Sequence, residues 1–97
     1  MMRMDEDAAP FTVEVDRRVE KDLRGVPKHI IEKFLDSLDE IQTDPMKPRS
    51  GFDVKPLKGF PGNSYRLRIG DYRVLYSVDI DRRLVRVTTV KHRSGAY

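Results

Sequence analysis

Cysteine is absent from the 97 residues. That excludes disulfides, thiolate metal sites and a cysteine nucleophile, and it fits a reducing compartment. No apolar run approaches the roughly 18 residues needed to span a bilayer. The first ten residues, MMRMDEDAAP, are acidic and lack the apolar centre of a signal peptide. The expectation is a cytoplasmic protein that makes no use of a membrane. Histidine is scarce, and His29 and His92 are too far apart in sequence to read as a metal site. GxGxxG, Walker, HExxH and C-x-x-C patterns are all missing, so no metal and no cofactor is expected. Ser94, His92 and Asp71 could be drawn as a triad, but nothing places the serine on a strained elbow. His29 stands at the edge of an apolar stripe near a helix start and reads as a surface residue.

What is there is charge, unevenly divided. Residues 1–54 carry a net charge of −4 and residues 55–97 a net charge of +7. A basic half points to a polyanion or an acidic protein segment as partner. Pairing of the two halves within the fold would use the same charges.

Residues 1–10 read as a disordered tail and residues 11–97 as one domain, with enough chain for a single modest core. Phe11 to Val15 alternates as a first strand. Asp16 is placed to cap a short helix, Arg17 to Arg24, which Gly25 and Pro27 end. A second helix, Lys28 to Gln42, carries Ile30, Ile31, Phe34, Leu35, Leu38 and Ile41 at helical spacing. That spacing predicts burial of Ile31, Phe34, Leu35 and Leu38. Residues 44–63 hold four of the six prolines and three of the six glycines. They read as a long connection pinned by Phe52, Val54 and Leu57. Leu84 to His92 reads as the last strand, marked by Val85, Val87 and Val90.

The centre of the chain is YRLRIGDYRVLYSV, Tyr65 to Val78, two strands joined at Gly70-Asp71. Alternation within each strand puts Tyr65, Leu67 and Ile69, and after the turn Tyr72, Val74, Tyr76 and Val78, on one face. Arg66, Arg68 and Arg73 take the other. A solvated sheet face would show the same pattern. So would a phosphate-binding face, because a guanidinium matches phosphate oxygens in shape and never loses its proton. His92, Arg93, Tyr97, Lys55 and Lys58 extend the set. Tyrosine adds a ring for stacking and a hydroxyl for proton transfer.

The ordered set LKG at Leu57-Lys58-Gly59, YRLRIGDYRVLY and VKHRSGAY resembles the RelE toxins of the RelE/ParE superfamily, most of all those of archaeal type. The resemblance covers about residues 11–97. It implies an α+β fold, β-α-α-β-β-β, with an antiparallel-rich sheet of about four strands and two N-terminal helices on one face. It implies a type II toxin that cuts messenger RNA in the ribosomal A site without metal, by attack of a 2′-hydroxyl on the adjacent phosphate to leave a 2′,3′-cyclic phosphate. It implies a RelB-like antitoxin as partner, and operator DNA as a target of the toxin–antitoxin complex. Residue by residue, the family's strand arginine falls on Arg73, its C-terminal arginine on Arg93 and its final tyrosine on Tyr97. His92 joins these as a catalytic candidate because its ordinary pKa suits proton transfer. Arg66, Arg68, Lys55 and Lys58 are the RNA-binding candidates. Arg66 and Arg68 stand where relatives often carry lysine, so neither can serve as a base. Two other readings share the fold: a ParE-like toxin that inhibits DNA gyrase without cutting RNA, and a degenerate member that only binds its antitoxin or DNA.

Overall fold

The computed structural model describes residues 10–59 and 63–94. Its elements run β1 (Thr12–Val15), α1 (Arg18–Asp22), α2 (Lys28–Thr43), β2 (Asp53–Pro56), β3 (Asn63–Ile69), β4 (Tyr72–Asp79) and β5 (Leu84–His92). They form one five-stranded sheet in the order β1-β5-β4-β3-β2. β1 pairs parallel with β5, and the other pairs are antiparallel. The expected α+β fold is therefore present, with one strand more than the expected four. The tail expected over 1–10 lies almost wholly outside the described residues.

The additional strand is β2. It lies in the Pro/Gly-rich segment that reads as a loop. Four residues, DVKP, carry a single β-branched side chain, and proline is tolerated in a sheet only at an edge or a strand end. β2 occupies that edge, with Pro56 at its last position opposite Tyr65. The rest of the segment is tied down by Arg49. Its guanidinium donates to the carbonyls of Glu40, Asp44 and Lys47 and to the Glu40 carboxylate. It also lies over the Phe52 ring at 4.1 Å. Arg49 thus ties the last turn of α2 to the segment that follows it.

One core holds the two layers together. Val19 from α1 and Ile30, Phe34 and Ile41 from α2 pack with Val54, Leu67, Ile69, Val74, Tyr76, Val78, Val85, Val87 and Val90 from the sheet. The Tyr76 hydroxyl donates to the Pro45 carbonyl at 2.5 Å, and burial pushes its pKa above the ordinary phenol range. The hairpin between β3 and β4 turns on Gly70, whose φ of +57° favours glycine. A β-carbon there would meet Ile30 at 3.2 Å.

Helix α2 buries a different stripe from the expected one. Its buried residues are Ile30, Phe34, Ser37 and Ile41, while Ile31 and Leu38 are half-buried flanks. Leu35 is 54% exposed, which corrects the expectation that it packs on the sheet. The reason is Ser37. Its hydroxyl donates to the Phe34 carbonyl at 2.6 Å, so a polar residue is satisfied at a core-facing position. The buried line then follows 30-34-37-41, and Leu35, about 100° around the helix from Phe34, is turned outward. Leu35→Ala should shift stability by less than about 0.5 kcal/mol. A urea melt showing the loss typical of a core leucine, about 2–5 kcal/mol, would contradict this placement.

At the start of α1 the Asp16 carboxylate accepts the Arg18 N–H at 2.9 Å. This hydrogen bond, helped by the Arg18 guanidinium, holds the Asp16 pKa below the usual carboxylate value. A lowered folded-state pKa means a stabilising contribution present above the unfolded value and lost as pH falls through the folded one. The gap in melting temperature between wild type and Asp16→Ala should therefore be open at neutral pH. It should narrow as the pH is taken below about 4. A gap that is flat across that range would show the carboxylate charge to be irrelevant.

Candidate nucleic-acid interface

The face of the sheet away from the helices collects cations in rows set by strand pairing. One row across β2, β3, β4 and β5 is Asp53, Arg68, Arg73 and Lys91. The next is Lys55, Arg66, Leu75 and Thr89. Residues directly opposite one another share a face, so five cations from four strands stand on one rigid surface. Arg66 and Arg73 are partly buried within it. Among the described residues Arg66 Nη1 and Arg73 Nε are buried and have no hydrogen-bond partner. An unsatisfied buried N–H on a charged group is costly, and an oxyanion placed over it would remove that cost.

A bulge in β5 decides which C-terminal residues join this face. Leu75 pairs with Thr89 but Tyr76 pairs with Val87, which leaves Thr88 as an extra residue. The core-facing parity of β5 therefore switches from Val85 and Val87 to Val90. Lys91 is sent to the cationic side as the cross-strand partner of Arg73. His92 goes to the helix side as the partner of Tyr72, with their rings edge-to-face at 5.1 Å. His92 Nδ1 accepts the Ser94 N–H at 3.1 Å and lies 2.7 Å from Ser94 Oγ. The structure thus separates His92 from Arg73, and the triad drawn on paper is not assembled, because Asp71 turns to Arg93 instead. The Arg93 backbone N–H donates to the Asp71 carbonyl at 2.7 Å. Its Nε lies 3.4 Å from Asp71 Oδ1, and both side chains are 65% exposed. An exposed pair of this kind holds weakly, so Arg93 is free to exchange Asp71 for another anion.

A cleft of about 610 Å³ opens elsewhere, between α2 and the β2–β3 edge. Arg66, Arg73 and Lys91 are not part of it, and Asp36, Glu40 and Asp53 line it. Lys33, Arg49 and Arg68 line it as well, so its charges balance, whereas the open sheet face gathers five cations and is the better surface for a polyanion.

The sequence and the fold have counterparts in known proteins. Residues 13–97 match the family model described as "ParE toxin of type II toxin-antitoxin system, parDE". The chain belongs to this toxin family. It is 40% identical to "Putative toxin RelE1" of Methanocaldococcus jannaschii over 90% of this chain and 94% of that protein. Its fold matches the RelE–RelB complex of Pyrococcus horikoshii at TM-score 0.75 and 36% identity, over 89% of this chain and 98% of that one. It also matches the RelB–RelE complex of Methanococcus jannaschii at TM-score 0.70 and 27% identity, over 84% and 91%.

For a RelE-type toxin the expected site divides into three parts. Arg66, Arg68, Arg73 and Lys55 are brought together on the sheet face. Arg93 stands at the same end of the sheet as Lys91, two residues further along. Lys58 lies exposed in the turn after β2, off the paired rows, and Tyr97 lies outside the described residues. Sequence reasoning missed Lys91. The signal was present in the spacing of Val85, Val87 and Val90, two residues and then three, which marks the break in strand period.

Proposed function

We propose that this type II toxin cuts ribosome-bound messenger RNA and is neutralised by a RelB-like antitoxin. The observation that carries the reading is the cluster of five cations on one sheet face, within which Arg66 Nη1 and Arg73 Nε are buried and, among the described residues, have no hydrogen-bond partner. The names of the relatives support it, since they are RelE proteins and two of the solved structures hold RelB.

In the reaction the RNA 2′-hydroxyl attacks the adjacent phosphate. The bond from phosphorus to the 5′ oxygen breaks and a 2′,3′-cyclic phosphate remains. Arg73 binds the non-bridging oxygens, where charge grows in the transition state. Arg66, Arg68 and Lys55 hold the flanking backbone as fixed cations. Arg93 leaves Asp71 for the developing charge on the phosphorane or the leaving oxygen. Tyr97 stacks the scissile base. Lys91, beside Arg73, is the cation of that row able to give up a proton, and it hands one to the departing 5′ oxygen. The 2′-hydroxyl proton leaves to hydroxide from solvent.

Expression in cells followed by mapping of messenger RNA 5′ ends tests the proposal. New ends within translated frames, lost in Arg73→Ala, support it. Intact messages together with inhibited gyrase supercoiling would replace it with the ParE-like reading.

A further inference from the structure

We propose that Asp22 is a positioning residue for the cationic face: its carboxylate selects the strand register that presents Lys91 and Arg93 beside Arg73. β1 runs beside β5 only as far as the Val15–Val87 pair, and the Asp16 N–H closes on the Val87 carbonyl. Beyond that point no strand among the described residues lies outside β5. The Val90 N–H instead donates to Asp22 Oδ2 at 2.9 Å, from the last residue of α1. Helix α1 is in turn held by Val19, buried in the core, and by Asp16 at its start. The clamp therefore has a fixed base.

The position of this bond gives it leverage. It falls two residues after the unpaired Thr88. If the bulge were absorbed, the C-terminal half of β5 would slip by one residue against β4. A one-residue slip turns every side chain to the other face. Lys91 and Arg93 would then face the helices, Val90 would stand opposite Arg73, and His92 would turn to the cationic side. Backbone N–H groups alternate in direction along a strand just as side chains do. The same slip would swing the Val90 N–H toward β4 and away from Asp22. The carboxylate is satisfied in one register only, the one that assembles the cations. Thr88 and Thr89 contribute hydroxyl contacts at 3.4 Å, too long to hold the bulge by themselves.

The effect on catalysis rests on the RNA-cleavage reading; the effect on register does not. The test uses the full chain with Asp22→Ala and Asp22→Asn, the second keeping an acceptor oxygen. Amide exchange at Val90 and cross-strand NOEs between Arg73 and Lys91 report the register. kcat and KM for cleavage of ribosome-bound RNA, measured well below the melting midpoint, report the site. Asp22→Ala is expected to speed Val90 exchange about tenfold and weaken the Arg73–Lys91 NOEs. It should lower kcat about tenfold or more with little change in KM, since Arg66 and Arg68 still grip the strand. Asp22→Asn should restore most of each. Wild-type kcat in the folded Asp22→Ala protein would overturn the proposal. So would a loss that only follows the unfolded fraction. If wild type cuts no RNA, the cleavage reading falls and the NMR comparison alone decides: undisturbed Arg73–Lys91 NOEs in Asp22→Ala overturn the proposal, and their loss upholds it.

Discussion

Arg73→Ala should reduce RNA cleavage by about 10²–10³-fold, the usual cost of losing one preorganised charge contact in the transition state. The same change should leave the fold intact. Among the described residues Arg73 Nε already lacks a hydrogen-bond partner. Its removal breaks no such bond at that atom and relieves repulsion from Arg68 and Lys91, which stand opposite it. The melting temperature is expected to stay level or rise while activity collapses, the signature of a site that trades stability for function. Arg73→Lys should fall between the two, because an ammonium keeps the charge but loses the planar fork. A cleavage assay under single-turnover conditions, paired with a thermal melt, reads both effects. Near wild-type cleavage by a folded Arg73→Ala protein would remove Arg73 from the chemistry. A large drop in melting temperature would make its role structural.

Phe34→Ala should destabilise the domain by about 3–5 kcal/mol. Phe34 is 2% exposed and lies on the buried line of α2, among the residues that join the helix to the sheet. A small domain has about 5–15 kcal/mol of total stability, so this one truncation removes a large share. Its neighbour Leu35, one residue along the same helix, should give almost nothing. The pair makes a sharp comparison by urea denaturation, since both changes delete large apolar side chains from adjacent positions. A Phe34→Ala loss below about 1.5 kcal/mol would mean that the α2–sheet interface is looser than the structure describes.

Much of this could be read from residues alone. The alternation in YRLRIGDYRVLYSV assigned Leu67, Ile69, Val74, Tyr76 and Val78 to one face, and all five are buried. The Gly70-Asp71 turn and the span of β5 also follow from sequence. Those features are set by neighbours in the chain: side-chain alternation, a glycine at positive φ, a run of β-branched residues. The tilt of α2 was not legible in the same way. Its apolar residues are compatible with more than one buried line, and only contact with the sheet chooses between Leu35 and Ser37.

The site divides along the same boundary. The chain's own order determined that Arg66, Arg68 and Arg73 share a face, because parity within a hairpin is a local property. It also carried the family motifs and the basic character of the C-terminal half. Tertiary structure alone decided that Lys91 stands opposite Arg73, that His92 is turned to Tyr72 on the far side, and that Arg93 is paired with Asp71. It also made β2 an edge strand, which brought Lys55 opposite Arg66. The physical reason is that strand pairing joins residues distant in sequence. A single extra residue at Thr88 reverses the facing of everything that follows it, and whether that bulge persists depends on a carboxylate 68 positions before Val90, on another element.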